Sequence, residues 1–184
     1  MADVSGVFAN ISFENINASL VSIQRMVTAA SYIIGISFAV KALYSMKKLA
    51  QEKAQMSDHG SVKEPLIYFL VAGMCIYLPS GVEVIMNSTF GYSQVLAYAP
   101  IDSGSSALNT LFGQGSVFGY TLTLFIQVVG VIAFIRGWIL IARSASSGQP
   151  PGGTGTGLMH VFGGILAMNM VGTLQIINNT IFGV

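Results

Sequence analysis

The sequence carries little charge. Only 8% of its 184 residues are Asp, Glu, Lys or Arg, 53% are hydrophobic, and the mean hydropathy is +0.69. A soluble domain carries about 25% charged residues, so this composition excludes a water-soluble globular protein and predicts an integral membrane protein. The net charge of +1 leaves no basic field that would neutralise phosphates, so we expect no direct binding to nucleic acid.

Residues that commonly carry chemistry are scarce as well. Cys75 is the only cysteine, which excludes an intrachain disulfide. His59 and His160 are far apart and lack companion ligands for a metal ion. The chain shows no nucleophile–base pair, no paired carboxylates and no cofactor motif. We therefore expect no enzyme, no catalytic residue, no cofactor and no metal, and the start of the chain predicts no cleaved signal peptide.

What the sequence does contain is long apolar runs, and a membrane-spanning helix needs about 20 such residues. The pattern predicts an all-α integral membrane protein with four transmembrane helices arranged as two hairpins. Residues 1–91 form an N-terminal segment and the first hairpin, and residues 92–184 form a loop and the second hairpin. The predicted spans are Val27–Tyr44, Leu66–Met86, Val117–Ala142 and Leu158–Ile177, the last extending as far as Phe182.

The segments around these spans give further predictions. The first 24 residues are either an amphipathic helix in the membrane interface or the front of the first span. The first span continues into water to about Met56, and the run 57–60 (SDHG) then ends it. Pro65 suits the first turn of the next helix, and Pro79 should kink that helix at about Cys75–Tyr77. By composition, residues 143–157 (RSASSGQPPGGTGTG) are a flexible linker.

Positive charge predicts the orientation. Lysine clusters around the first inter-helix turn and arginine flanks the second, whereas 87–116 and the C-terminal tail have neither. By the positive-inside rule both turns are cytoplasmic, and both termini lie in the periplasm of a bacterial inner membrane. Within and beside the spans, the cations are predicted to anchor the cytoplasmic interface or to contact lipid phosphates: Lys41, Lys47, Lys48, Arg136 and Arg143. For Lys41 and Arg136, lining a polar path is the alternative.

The middle and the end of the chain nearly repeat each other. At an offset of 92 positions, 80–91 (SGVEVIMNSTFG) aligns with 172–183 (GTLQIINNTIFG), and the second and fourth spans align without a gap. The first and third spans align at an offset of 95, which matches Gly35 with Gly130 and Lys41 with Arg136. These matches predict a tandem, parallel repeat of one hairpin.

Two sets of residues are predicted to join helices. Arg25 and Glu83 lie at similar outer depth, and we expect an outer-leaflet ion pair between them, within one protomer or between protomers. Small residues four apart permit close helix packing in lipid, within the chain or against other subunits. These are Ser31, Gly35 and Ala39 in the first span, Ala133 and Gly137 in the third, and Gly163 and Ala167 in the fourth.

Each half resembles the two-span hairpin of conjugative (type IV secretion) pilins. The residues that carry this are 33–48 (IIGISFAVKALYSMKK), 128–144 (VVGVIAFIRGWILIARS) and the paired endings NSTFG and NNTIFG. The doubled form resembles the small IcmC/DotE-type inner-membrane proteins of type IVB (Dot/Icm) secretion systems and their relatives in IncI-type conjugation. The resemblance implies a non-enzymatic channel subunit that works as an oligomer with other secretion subunits and membrane lipids.

Two other functions remain as alternatives. A stand-alone pore former such as a holin predicts lysis when the gene is overexpressed alone. A small transporter is less favoured, because it predicts inverted repeats and a polar site at the midplane. Here the repeat is parallel, and the polar midplane residues are only Ser37, Gln127 and Asn169.

Overall fold

A computed structural model describes residues 4–54, 62–91, 117–146 and 153–182, and all of the secondary structure in these four ranges is helical. In chain order the helices are α1 (Val4–Ala54), α2 (Lys63–Ile76), α3 (Leu78–Phe90), α4 (Val117–Ala145), α5 (Gly153–Met168) and α6 (Met170–Phe182). We call α1 and α2 the first hairpin and α4 and α5 the second hairpin.

Helix α1 runs without a break from Val4 to Ala54. Its 51 residues make it roughly 75 Å long, more than twice the hydrocarbon thickness of a bilayer. The N-terminal segment is therefore the front of the first helix and not a separate interfacial helix. The predicted continuation of this helix beyond Tyr44 is confirmed as far as Ala54, and the predicted stop at 57–60 lies outside the described residues.

The membrane-protein character of the helices is confirmed, but the predicted spans are only partly so. Two helical stretches, Ser12–Ala54 and Val117–Ala145, are long and apolar enough to cross a membrane. The second and fourth predicted spans are not continuous helices, because α2–α3 bends by 88° and α5–α6 by 90°. The described chain thus has two candidate spans, or up to four if each bent pair is one span.

The first bend lies where Pro79 predicted a kink. Helix α2 ends at Ile76, Tyr77 has φ −96° and ψ 28°, and Pro79 falls in the first turn of α3. Proline has no N–H for the carbonyl of Cys75, four residues earlier, and its ring clashes with that carbonyl. The location is confirmed, and the bend separates two helices. Pro65 likewise lies in the first turn of α2, as predicted.

The second bend contains no proline. Asn169 stands between α5 and α6, and its Oδ1 accepts a hydrogen bond from the backbone N–H of Gly172 at 3.1 Å. This is the geometry of a helix N-cap. The Thr173 hydroxyl donates to the carbonyl of Leu166 at 2.9 Å, which satisfies an acceptor near the break. Tyr77 and Asn169 are 92 positions apart, and α3 and α6 each have 13 residues, so the bends repeat at the offset of the sequence match.

The second hairpin is held together at glycines. A Cβ added at Gly130 would lie 2.7 Å from the backbone N of Met168, and one at Gly137 would lie 2.7 Å from the carbonyl O of Gly157. From Gly130 to Gly137 along α4, the contacted residue changes from Met168 back to Gly157 on α5, so the two helices are antiparallel. Backbones approach this closely only where side chains are absent.

The predicted linker is wrong at both ends. Helix α4 continues to Ala145, and the sequence GTGTG forms the first turn of α5. Glycine has low helix propensity, but the contact between Gly157 and the backbone of Ile141, 3.0 Å from an added Cβ to its N, needs a residue without a side chain. The hydroxyls of Ser144 and Thr154 are also hydrogen-bonded at 2.7 Å. Tertiary packing therefore overrides composition here.

The two hairpins pack side by side, with α1 and α4 parallel. Val27 and Ile34 of α1 line one groove with Ile132 and Ile139 of α4. Farther along α1, the Phe38 ring contacts the Tyr68 ring with their centroids 5.9 Å apart, and the hydroxyl of Tyr68 lies 2.6 Å from that of Ser146, which directly follows α4. The core lies between the hairpins, where three residues of α3 join residues of α4 and α5: Leu78, Val82, Met86, Val131, Phe134, Ile135, Ile141, Val161, Ile165 and Met168.

Candidate functional site

In the first hairpin, a residue of α1 contacts the carbonyl of Cys75, for which Pro79 supplies no backbone N–H. Ser31 is fully buried, and its Oγ lies 3.2 Å from the Cys75 carbonyl O and 2.7 Å from the Thr28 carbonyl O. Its single hydroxyl proton is shared between the two acceptors. Gly35, one turn away, lets the helices touch, since an added Cβ would lie 3.0 Å from the backbone N of Ile76. A residue of α1 thus stabilises the bend between α2 and α3.

The other small residues predicted to pack helices differ in how far they are buried. Gly137 is buried in the contact between α4 and α5, whereas Ala39, Ala133 and Ala167 are half-buried. Gly163 is exposed, and an added Cβ there would meet nothing within 4 Å. The intrachain contact uses Gly164 instead, where an added Cβ would lie 2.8 Å from the carbonyl O of Gly130. Contact of Gly163 with another subunit stays a prediction.

The five predicted interface cations are all exposed: Lys41, Lys47, Lys48, Arg136 and Arg143. Lys48 pairs with Glu52 at 3.7 Å, the one ion pair within the described residues. Lys41 Nζ lies 5.3 Å from the ring centre of Phe38, in the range of a cation–π interaction. These contacts keep both lysines along α1.

Arg136 lies in different surroundings from Lys41, although the repeat aligns the two. It lines a groove of about 270 Å³ between α1 and α4, together with Val27, Ala30, Ile34 and Ile135. Lys47 is thirteen residues beyond Ile34, which is roughly 20 Å along a helix. An arginine side chain cannot bridge that distance, so Arg136 does not reach the level of Lys47, and its role as an interface anchor or lipid contact stays a prediction.

Arg25 and Glu83 are not paired in one chain. Both side chains are exposed, and within the described ranges no ion pair joins them. The structure does not show the pair inside one protomer, where α3 turns away from the axis of α2 at the 88° bend. A pair between protomers stays a prediction.

The ends of the bent helices carry polar side chains. On α3 the exposed residues include Glu83, Asn87, Ser88 and Thr89, and the helix ends at Gly91, whose φ of 78° is the left-handed conformation that glycine tolerates. On α6, Asn179 and Thr180 are exposed. These two polar ends occupy corresponding positions in the repeat.

Several residues that hold the helices together were not predicted from the sequence to do so. Gly130, Gly157 and Gly164 form the tight contact, and the spacing of seven between Gly130 and Gly137 and between Gly157 and Gly164 is the pattern that identifies them. Tyr68 and Ser146 join the hairpins, but an aromatic residue and a serine near helix ends have no distinctive pattern.

Comparison with known proteins adds no relative. No family model, curated protein or solved structure matches the chain. Among the described residues, no three His, Cys, Asp or Glu side chains are grouped so that they could hold a metal ion. The surface features that the structure describes are the Arg136 groove, the exposed apolar helix faces and the polar ends of α3 and α6.

Proposed function

We propose that this protein is a structural, non-enzymatic subunit of a type IVB secretion or conjugation channel, which supports translocation of protein effectors or DNA. In this proposal it lies in the inner membrane of a Gram-negative bacterium as two tandem hairpins with four spans, and both termini are periplasmic. The resemblance to IcmC/DotE-type proteins and to conjugative pilins supplies the class of machine.

The observation that carries the proposal is the repeated bent hairpin. Both halves have a helix, an antiparallel partner and a sharp turn into a 13-residue helix with polar residues at its end, and the turns lie 92 residues apart. A doubled unit with no described cluster of catalytic type suits a part that other subunits dock against. The apolar faces of α1 would contact lipid or neighbouring subunits, and the polar ends of α3 and α6 would meet periplasmic partners.

Deletion of the gene in its own bacterium tests the proposal. We expect loss of effector translocation or of plasmid transfer, normal growth, and recovery when the gene is supplied in trans. Overexpression of the chain alone, in a host without a secretion system, should cause little toxicity. Intact translocation after deletion, together with lysis on overexpression, would instead identify a stand-alone pore former.

A further inference from the structure

Arg136 and Glu83 lie at a similar level along the helix bundle. Arg136 lines its groove beside Val27, Ala30 and Ile34 of α1. The bend before α3 lies beside the same part of α1, because Ser31 Oγ is 3.2 Å from the Cys75 carbonyl O. Since α3 then turns by 88°, it crosses the bundle near that level instead of rising along it.

Among the residues that the structure describes, neither Arg136 nor Glu83 has a counter-ion. Both side chains are exposed, and the only ion pair of the described ranges joins Lys48 to Glu52. The groove around Arg136 is otherwise lined by aliphatic residues and contains no carboxylate. Charged side chains at this level of an apolar bundle are unfavourable unless they are paired.

We infer that a second copy of this chain docks at the groove between α1 and α4, and that its Glu83 carboxylate pairs with Arg136. Charge complementarity selects this occupant, because the groove offers one cation and, among the described residues, Glu83 is the exposed carboxylate at the matching level. Copies inserted in the same orientation keep that level. A two-fold axis parallel to the bundle would then form two identical Arg136–Glu83 pairs.

Arg25 is the competing partner for Glu83. It lies six residues before Ser31, which is roughly 9 Å farther along α1 than the bend. Arg136 therefore lies closer than Arg25 to the level of Glu83 along the bundle, and the experiment distinguishes which of the two cations is the partner. The inference concerns self-association of the chain and does not depend on a role in secretion.

Energy transfer between donor- and acceptor-labelled copies of the full chain in phospholipid vesicles measures the association. Glu83→Gln and Arg136→Gln should each weaken it by at least about tenfold, because each leaves the other charge unpaired. Combining Glu83→Arg with Arg136→Glu should restore it. Arg143→Gln, on an exposed cation of the same helix, is the matched control and should leave association unchanged.

Three results would overturn the inference. One is no energy transfer by the wild-type chain at any protein density. Another is wild-type association in both single variants. The third is rescue of Glu83→Arg by Arg25→Glu but not by Arg136→Glu, which would assign the partner to Arg25. Helix content from circular dichroism, required to be unchanged, excludes misfolding as the cause of a loss.

Cross-linking provides a measurement that does not depend on charge. In a Cys75→Ser background, copies carrying Glu83→Cys are mixed with copies carrying Arg136→Cys in vesicles and treated with a bifunctional maleimide, because an ion pair between two long side chains holds their Cα atoms farther apart than the roughly 7 Å that a disulfide spans. We expect more cross-linked dimer from this mixture than from Glu83→Cys copies alone or from the control mixture of Glu83→Cys with Arg143→Cys. Absence of a dimer from the first mixture, or equal yields from both, would contradict the proposed docking.

Discussion

In the first hairpin, α1 meets α2 at Gly35, where the nearest atom to an added Cβ is the side-chain Cγ1 of Ile76. In the second hairpin, α4 and α5 meet at glycines on both helices. An added Cβ at Gly130 or Gly164 would lie within 3.0 Å of backbone atoms. A side chain can move, whereas a helix backbone cannot yield without separating the helices. The second hairpin should therefore tolerate substitution less well than the first.

The two bends also differ, in the interaction that causes each one. Pro79 imposes the first bend by removing a backbone donor, and Ser31 of another helix binds the carbonyl that is left. Asn169 caps the second bend with its own side chain. One half therefore depends on a contact between helices for its bend, and the other depends on a local hydrogen bond. The two bend angles, 88° and 90°, are nearly the same although their causes differ.

The largest effect is expected from Gly137→Ala in the second hairpin. The new Cβ would lie 2.6 Å from Val161 Cγ2 and 2.7 Å from the Val161 N, so α4 and α5 must separate, at a cost of about 3 kcal/mol of unfolding free energy. Gly35→Ala should cost less, because its new Cβ would meet backbone atoms only at 3.0 Å and 3.1 Å, so the helices need to separate by a smaller distance. Unfolding in mixed micelles with increasing dodecyl sulfate, followed by the fluorescence of the single tryptophan Trp138, measures both changes.

The control for this substitution is Gly163→Ala, at an exposed glycine of α5 with open space around it. It should leave stability unchanged or raise it slightly, since alanine favours helix. If Gly137→Ala and Gly163→Ala have equal effects, the tight contact between α4 and α5 does not hold the second hairpin together.

The adjacent glycines 163 and 164 also illustrate what sequence patterns can and cannot predict. The apolar runs located the helices, since hydropathy is a property of each residue and does not depend on its neighbours in space. The side of α5 that faces α4 depends on the partner helix, and neighbouring residues on a helix point in directions about 100° apart. The spacing of four predicted Gly163, whereas the structure uses Gly164.

The bends show the same limit. Pro79 was informative because its effect on a helix is local and covalent. Asn169 is only mildly unfavourable in a helix, and the apolar run continues past it, so nothing local predicted a break there. Glycines 153, 155 and 157 suggested a linker, whereas the close approach of α4 at Gly153 and Gly157 explains why this segment is helical.

The next largest effect is expected from Ser31→Ala in the first hairpin. The variant leaves the buried Cys75 carbonyl without the 3.2 Å contact, and we expect a loss of about 2 kcal/mol of unfolding free energy. In a Pro79→Ala background the new backbone N–H can bind that carbonyl, so Ser31→Ala should then cost less. Micelle unfolding of the four proteins forms a double-mutant cycle.

The exposed hydroxyl of Ser37, which donates to the Ile33 carbonyl within α1 at 2.8 Å, provides the control for that cycle. Ser37→Ala should have little effect in either background. Additive losses for Ser31→Ala and Pro79→Ala would show that the serine does not act on the carbonyl freed by the proline.

A smaller effect is expected from Asn169→Ala in the second hairpin. Loss of the side-chain cap on the Gly172 N–H should cost about 1 kcal/mol and let the start of α6 fray. Hydrogen exchange of the first-turn amides of α6 measures the fraying, with Ser88→Ala on α3 as the control, because that hydroxyl only donates to Val84 within its own helix. Protection equal to that of wild type would mean that packing alone fixes the second bend.

The smallest effect is expected where the two hairpins meet. Tyr68→Phe removes the 2.6 Å hydrogen bond to Ser146 while keeping the ring against Phe38, so we expect a loss of roughly 0.5 kcal/mol. Ser146→Ala should have a similar effect, and the double variant should lose no more than either single one, because the two hydroxyls form one bond. Tyr44→Phe, at an exposed ring of α1, is the control in the same micelle unfolding. If the two losses add, each hydroxyl has another partner, and the hairpins are joined by their shared apolar core without this hydrogen bond.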